Sequence, residues 1–513
     1  MTALPGWPAL ARMAGAQAAP AGRPLRIVGP WEITGLEPAI AGHFFTRLQV
    51  CETLVEADDQ GRLQPGLASA WTLADDGLHW RFRLREGARF HDGTPVTAAQ
   101  VAQVLQRAHQ QPGLLRLAPL AAIEPAAGAT GNALLLRLRE PFALLPALLA
   151  HSSTLVLGAA SRGADGRLGT IIGSGPYRIH ALTPPQQVQV QAMQPGLPVQ
   201  QAHYLNVSRA ETRALMAEAG QADMALALDP ASLQRLGRLS RLRVAQVTVP
   251  RTLIMKLNAG HRWLRDPRAR RALSLALDRG GIARGLLRDG ELAATQLLPP
   301  TLAAWHQPGL APLRFDPAAA ARLWAELGWQ RGRDGLLQRD GDTLRLTLRS
   351  FPDRPELPLV ATAVQEQLRQ TGIDCRVLIG NSGEVPLRHR DGSLELALAA
   401  RHYALVPDPL GTLLQDFGAG AGEAAGGQGG DWGAMGWHSP ALQQALTGLA
   451  RGQGDAPALR AQAMAVLHDE LPVIPIAWYR QSAALAPALA ELALDPLERS
   501  WRLSRMPWPG GRA

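Results

Sequence analysis

The chain has 513 residues, of which 46% are hydrophobic. It can bury more than one hydrophobic core, because single cores stop growing near roughly 250–300 residues. The formal net charge of +9 would suit a nucleic-acid partner, but the arginines are scattered from Arg12 to Arg512 and the single lysine is Lys256. Without a basic run interleaved with aromatic residues, this pattern argues against nucleic-acid binding.

The first 24 residues contain a run of small residues, Ala14 to Ala21, that is typical of the end of an export signal. Pro5, Pro8 and Arg12 interrupt the apolar stretch that such a signal needs. Three explanations stay open: a degraded signal, a true start upstream of Met1, or a cytoplasmic protein. No later segment is a run of 18 or more apolar residues, so we expect no membrane-spanning helix.

Hydrophobic periodicity predicts mixed strands and helices in the first part of the chain. In chain order these are a strand at Leu25–Gly29, a helix at Phe44–Val55, a β-hairpin within Trp71–Leu84, a helix at Thr97–His109 opened by a threonine cap, a strand at Ala133–Arg139 and a short helix at Pro146–Ala150.

The second part continues the alternation of strands and helices. Its predicted elements are a strand at Thr252–Asn258, a helix at Asp266–Gly285, a helix at Pro317–Leu327, a strand at Leu344–Leu348, a helix at Leu359–Gln370 and a strand around Val377. The Gly- and Ala-rich segment Gly418–Gly436 predicts a mobile loop. This rhythm predicts an α/β fold.

The two cysteines, Cys51 and Cys375, allow at most one disulfide, and neither lies in a CxxC motif or a His-rich segment. We expect both thiols to be buried and unpaired, because the two segments belong to different lobes in the division given below.

Six phrases in a fixed order carry a resemblance to a known family. They are LQPGLASAW (63–71), DDGLHWRFRLREGARFHDG (75–93), GSGPY (173–177), GQADM (220–224), RARRALSLALDR (268–279) and LPVIPI (471–476). Together they resemble the bacterial extracellular solute-binding proteins of family 5, the peptide and nickel receptors of ABC importers. The resemblance implies an α/β clamshell of the type II periplasmic-binding-protein fold, with an inserted subdomain in lobe one.

The resemblance also implies a division of the chain. Lobe one is expected at residues 25–56, 171–258 and 477–513, its inserted subdomain at 57–170 and lobe two at 259–476, after a possible signal or flexible segment at 1–24. Two strands should cross between the lobes, near Asn258 and near Ile476.

The segment Arg401–Pro409 (RHYALVPDP) provides three candidate ligand-binding residues, Arg401, His402 and Tyr403. In nickel receptors a similar phrase follows a histidine that touches the metal chelate, but here position 400 is Ala400 and the histidine is His402. In dipeptide receptors an acidic residue at the position of Leu405 binds the peptide ammonium. Leu405 therefore argues against a peptide, since a buried ammonium without a carboxylate partner is costly.

Three further candidates come from the same resemblance. His43 and Phe44 lie where family members place a residue against the ligand. Arg116 lies near the position at which nickel receptors grip chelator carboxylates, which an arginine can bind at two points.

Signatures of catalysis are missing from the sequence. The glycine-rich segment after Gly418 lacks GK[ST], Ile172 stands where a nucleophile elbow needs glycine, and the 13 histidines form no metal-binding motif. We expect no enzyme activity, no cofactor and no metal held by the protein alone.

The prediction is therefore a periplasmic, monomeric receptor that binds a nickel or other metal chelate, or another carboxylated compound, and delivers it to an ABC permease in the inner membrane. A peptide- or dipeptide-binding receptor is one alternative. The alternative of another class is a cytoplasmic ligand-sensing regulator, but the resemblance begins by about Leu25 and leaves no room for a helix-turn-helix before it.

Overall fold

The computed structural model describes residues 22–111, 113–126, 132–352, 354–418 and 430–509. The strands are β1 (Leu25–Gly29), β2 (Val55–Ala57), β3 (Leu63–Pro65), β4 (Ala68–Leu73), β5 (His79–Leu84), β6 (Leu120–Pro125), β7 (Ala133–Leu138), β8 (Tyr177–Thr183), β9 (Gln187–Ala192), β10 (Gln201–Asn206), β11 (Met224–Leu226), β12 (Arg243–Leu257), β13 (Gln330–Arg331), β14 (Leu337–Arg339), β15 (Asp342–Thr343), β16 (Arg345–Ser350), β17 (Asp374–Ile379), β18 (Leu396–His402) and β19 (Val473–Leu485).

The helices are α1 (Pro38–Arg47), α2 (Ala98–Gln110), α3 (Leu145–Leu148), α4 (Ala210–Glu218), α5 (Pro230–Leu236), α6 (Pro267–Leu275), α7 (Arg279–Gly285), α8 (Pro317–Glu326), α9 (Glu356–Gln370), α10 (Glu384–Arg390), α11 (Leu410–Phe417), α12 (Pro440–Arg451) and α13 (Ala456–Glu470). Strands and helices alternate through most of the chain, so the predicted α/β class is confirmed.

A ten-stranded sheet runs through the molecule in the order β17-β16-β18-β12-β19-β11-β1-β10-β9-β8. Its two central strands, β12 and β19, are antiparallel and unusually long. Their pairing is regular from Arg243 to Val249 and resumes at Thr252, with a register shift between the two stretches. On one side of this shift β19 pairs with β11, and on the other β12 pairs with β18. The two halves of the sheet are thus joined by two continuous strands.

A separate four-stranded sheet, β4-β5-β7-β6, is formed by the segment between β3 and α3. Its apolar face packs with α2 into a hydrophobic cluster that also contains residues of α11, α12 and α13, such as Leu413, Leu446 and Met464. Two direct contacts reinforce this packing: the Ala143 N–H donates to the Ala450 carbonyl at 2.7 Å, and Arg451 pairs with Glu140.

The predicted helix at Phe44–Val55 is wrong in both of its bounds. The helix starts at Pro38, whose fixed φ and missing N–H suit the first turn. It ends at Arg47, because Gln49 has φ of +55° and turns the chain back toward β2. Leu48 and Leu54 are buried, but both lie in the loop after α1 and not on one face of a helix.

Other local predictions agree with the structure. The strand at Leu25–Gly29 has the predicted bounds, and α2 begins after Thr97, which forms a reciprocal capping box with Gln100. The predicted helix Asp266–Gly285 is two helices, because Asp278 caps a new helix by accepting from the Gly281 N–H. Most of the loop predicted at Gly418–Gly436, residues 419–429, lies outside the described residues.

Cys51 and Cys375 are free and buried, as predicted. Burial raises the pKa of both thiols, that of Cys375 to about 12. In the described ranges the structure contains no helix that is long and apolar enough to cross a membrane.

Candidate functional site

A cavity of about 1310 Å³ opens beside the register shift in β12. One wall is formed by α1, and Arg251 and His402 come from the other half of the sheet. Most residues of a segment near the C-terminus, residues 491–507, also line the cavity. Side chains from both halves of the ten-stranded sheet therefore face the same space.

A glycine brings α1 into place. The α1 backbone at Gly42 touches the turn that contains Ser152, and a side chain at this position would overlap the Ser152 carbonyl. This close approach places His43 of α1 and His151 of the turn on the same cavity wall. Burial, with Arg47 and His151 nearby, lowers the pKa of His43 to about 3, so its imidazole is neutral at physiological pH.

The cavity floor holds a buried ion pair between Arg251 and Glu498. The Arg251 guanidinium meets the two Glu498 carboxylate oxygens at 3.0 and 2.6 Å, and the side chains are only 7% and 3% exposed. Burial raises the pKa of Glu498, but the charges of Arg251 and its other neighbours outweigh burial and lower it to about 2. The carboxylate is therefore ionised.

Arg47 adds a second guanidinium to the floor. It lies one turn after His43 on α1, donates from Nε to the Glu498 carbonyl at 2.9 Å, and stacks on the Trp31 ring at 4.8 Å. Its Nη1 has no hydrogen-bond partner among the described residues. Burial lowers the pKa of Arg47, which means that an additional anion would stabilise its charged form.

A third guanidinium lies behind the floor. Arg354 donates to the Tyr479 hydroxyl at 3.1 Å, and both Arg354 and Arg251 lie over the Tyr479 ring, at 5.0 and 5.3 Å. Burial raises the pKa of the neighbouring Glu356, so this carboxyl offsets their charge less than an exposed one would. Three guanidiniums, those of Arg47, Arg251 and Arg354, therefore surround the ionised Glu498 carboxylate, and the Asp495 carboxyl lies near Arg47.

Two of the residues predicted from sequence, His43 and His402, line the cavity. Both ring nitrogens of His402 are engaged: Nδ1 accepts from the Ala404 N–H at 3.2 Å, and Nε2 faces the Glu498 carboxylate at 3.4 Å. Burial, followed by the charge of Arg251, lowers the pKa of His402 to about 3. The ring is neutral, and since Nδ1 accepts, its proton is on Nε2.

The structure does not bring the other four predicted residues to this cavity. Arg401 points to the opposite side of β18, where Asp416 accepts two hydrogen bonds from it at 2.7 Å each. Tyr403 is fully buried in the hydrophobic cluster around α11. Phe44 packs edge-on against Tyr204, and Arg116 is exposed on a short turn between α2 and β6.

Sequence reasoning missed Arg47, Arg251 and Glu498. Arg47 had a signal: it is four residues after His43, and positions i and i+4 share one face of a helix. The predicted helix begins only at Phe44, so His43 lies outside it and the face that His43 shares with Arg47 is not recognised. Glu498 had no signal, since the segment around it forms no helix or strand.

Within the described part of the chain, no group of three or more His, Cys, Asp or Glu side chains is arranged to hold a metal ion. At the floor, the guanidiniums of Arg47 and Arg251 offer cationic donors that suit an anion such as a carboxylate. Acidic side chains, among them Glu52, Glu56, Asp58 and Asp59, line other parts of the cavity.

Comparisons with known proteins agree with this architecture. The family model of the bacterial extracellular solute-binding proteins, family 5 Middle, matches residues 62–423. The glutathione-binding protein GsiB of Escherichia coli (strain K12) is 27% identical over 365 residues, which cover 68% of this chain and 66% of that protein. The alignment thus spans slightly less than two thirds of the relative's length.

Solved structures show the same two-lobed fold. NikA from Brucella suis in complex with Fe(III)-EDTA matches with a TM-score of 0.82 at 21% identity, over 94% of this chain and 99% of that one. DppA from Helicobacter pylori in complex with the peptide STSA matches with a TM-score of 0.79 at 18% identity, over 95% and 97%. The chain belongs to family 5 of the bacterial extracellular solute-binding proteins, as its sequence phrases predicted.

Proposed function

We propose that this protein is the substrate-binding receptor of an ABC importer and that it captures a small carboxylated solute in the cavity between its lobes. The observation that carries the proposal is the floor of the cavity, where Arg47 donates to the Glu498 carbonyl and Arg251 pairs with the Glu498 carboxylate. A guanidinium in a site of low dielectric binds carboxylate strongly, because two parallel N–H groups match the two carboxylate oxygens.

The relatives support a carboxylated solute without fixing its identity. Fe(III)-EDTA, peptides and glutathione appear in the names of these proteins and complexes, and all three carry carboxylate groups. A cationic floor is compatible with each of them. An anionic metal chelate remains within this proposal, because the chelator's carboxylates would face the arginines.

Direct coordination of a metal by His402 is not part of the proposal. Its Nδ1 lone pair is taken by the Ala404 N–H, and its Nε2 faces Glu498 beside the Arg251 charge. A cation at this point would lie against a guanidinium. Leu405 lines the cavity where dipeptide receptors have an acidic residue, so nothing there favours a peptide ammonium.

We further propose that the lobes close about the register shift in β12, near Pro250 and Arg251, and about the facing residues Trp478 and Tyr479 of β19. In β12 this proposed site of bending differs from Asn258, the crossing point that the resemblance implies. In β19 it lies only two residues from Ile476, the other implied crossing point. Arg251 lies at the shift itself. A solute that contacts Arg251 from one side and α1 from the other stabilises the closed arrangement.

The proposed partner is an ABC permease of the inner membrane, and the proposed compartment is the periplasm. We propose that the receptor acts as a monomer, without catalysis and without a resident cofactor. A protein of this kind needs only to bind, close and release.

The test is solute analysis of the purified protein. The protein is unfolded, small molecules are recovered and identified by mass spectrometry together with metal analysis, and the refolded protein is titrated with each compound by calorimetry. We expect a carboxylated compound that also raises the melting temperature, since it binds the native state alone. Recovery and tight binding of an uncharged or purely cationic solute would overturn the proposal.

A further inference from the structure

The position of the Glu498 carboxylate carries an inference that rests on the proposed function. This carboxylate is an anion supplied by the protein at the place where a solute carboxylate is expected. It meets Arg251 at two points and lies 3.4 Å from His402 Nε2. Arg251 of β12 and His402 of β18 are paired in one half of the sheet, whereas Glu498 comes from the C-terminal segment. Glu498 therefore links two parts of the cavity wall.

The segment that carries Glu498 is held in place from both sides. The Asp495 carboxylate accepts backbone N–H groups of Leu497, Arg499 and Ser500 at 2.9–3.0 Å, which closes a tight turn around Glu498. The Trp501 N–H then donates to the Arg47 carbonyl on α1 at 2.9 Å.

Glu498 itself has φ of +56°, in the left-handed region that a residue with a Cβ adopts only at a cost. The turn and the ion pair together keep it there. A local conformation that is intrinsically unfavourable is easier to leave once its ion-pair partner is taken by another anion.

We propose that Glu498 is an internal stand-in for the solute's carboxylate. In the free protein it neutralises Arg251, which would otherwise be a buried charge without a partner. A carboxylated solute binds by exchange: its carboxylate replaces that of Glu498 on Arg251 and His402, and Glu498 turns outward into the cavity. One carboxylate replaces another, so the charge balance at the guanidinium is unchanged.

The exchange explains how the site selects its solute class. A neutral solute offers Arg251 no anion and leaves Glu498 in place, whereas a carboxylate restores the ion pair that it breaks. Competition from Glu498 reduces the apparent affinity to the intrinsic affinity multiplied by the fraction of protein in which the site is not occupied internally.

Chemical rescue by acetate tests the occupancy of the site without knowledge of the natural solute. Glu498→Ala removes the internal carboxylate, and free acetate should refill its place beside Arg251. We expect about 100 mM sodium acetate to raise the melting temperature of this variant by about 1–3 °C relative to equal sodium chloride. Acetamide, which has the same shape but no charge, should have no such effect. Wild type and Glu326→Ala, which removes an exposed glutamate of α8 outside the cavity, should show no specific response to acetate.

Glu498→Gln keeps the shape of the side chain and serves if the alanine variant does not fold. With reduced glutathione as the carboxylate probe in calorimetry, we expect this variant to bind about tenfold more tightly than wild type, because internal competition is removed. Glu326→Gln, at the exposed position outside the cavity, is the matched control and should stay close to wild type.

The two readouts separate the inference from the proposed function. Equal responses of Glu498→Ala and wild type to acetate, or weaker glutathione binding by Glu498→Gln, would overturn the inference and indicate a purely structural ion pair. Specific acetate rescue together with failure of wild type to bind any carboxylated solute would instead support the internal occupant and contradict the proposed function.

Discussion

Arg401 and Asp416 form a two-point ion pair, with both nitrogen–oxygen distances at 2.7 Å and with Asp416 only 1% exposed. Burial lowers the pKa of Arg401, but the charge of Asp416 outweighs it, and the pKa is raised above its ordinary value. The Arg401 guanidinium is therefore paired with Asp416 on the side of β18 that faces away from the cavity.

Arg401→Ala is therefore expected to reduce stability and to leave solute affinity unchanged. It strands a buried carboxylate, which costs about 3–5 kcal/mol in the free energy of unfolding. Urea denaturation measures this loss, and calorimetry with the natural solute measures affinity. Arg116→Ala, at an exposed site, should change stability by no more than about 0.5 kcal/mol. A loss of affinity in Arg401→Ala without loss of stability would contradict the placement of this side chain.

Arg47→Gln is expected to weaken binding of the carboxylated solute that we propose. Loss of a charge-assisted contact in the cavity should cost about 2–4 kcal/mol, which corresponds to about 30- to 1000-fold in Kd. Isothermal titration measures the effect. Arg505→Gln is the control, because Arg505 also lines the cavity but is exposed, where a charge contributes little. Similar losses in both variants would indicate a general charge effect and not a contact at the floor.

Gly42→Ala should disturb the wall formed by α1. Its new methyl group overlaps the Ser152 carbonyl, so α1 must shift, and such overpacking typically costs about 1–3 kcal/mol. Because His43 and Arg47 move with the helix, solute affinity should fall as well. Gly35→Ala has open space around its new methyl group and provides the control for both measurements. Unchanged stability and affinity in Gly42→Ala would mean that α1 does not approach this turn so closely.

Stability should fall as the pH decreases below about 6.5, partly through His402. Its pKa is about 3 in the folded protein and 6.5 when unperturbed, so between these values only the unfolded chain takes up this proton. Each such histidine contributes a slope of about 1.4 kcal/mol per pH unit, with stability lost toward acid and no contribution above 6.5. Urea denaturation at several pH values should show a shallower slope for His402→Asn. His438→Asn, at an exposed site, should keep the wild-type slope.

Both thiols should be unreactive in the native protein and react fully after unfolding. Cys51 and Cys375 are buried and free, and burial raises the pKa of each, which suppresses the reactive thiolate. Ellman's reagent at pH 8 should detect almost no thiol in the folded state and two per chain in denaturant without reductant. Fewer than two in denaturant would reveal a disulfide that the structure does not contain.

Much of the fold follows from short-range patterns in the sequence. The strand Leu25–Gly29 and the capped start of α2 after Thr97 were predictable, because alternation and capping involve residues that are neighbours in the chain. The family phrases identified the two-lobed architecture for the same reason: each is a local solution to a turn, a strand entry or a helix face.

The composition of the cavity was decided by tertiary structure. Arg401 and His402 are adjacent in sequence, yet successive residues of a strand point to opposite faces, so one binds Asp416 and the other faces Glu498. Only the register of β18 determines which of them reaches the cavity. Arg251 and Glu498 are 247 residues apart, and no local pattern brings such residues together. The sequence by itself determined the two-lobed scaffold of the family, whereas long-range packing placed the charged side chains that line the cavity.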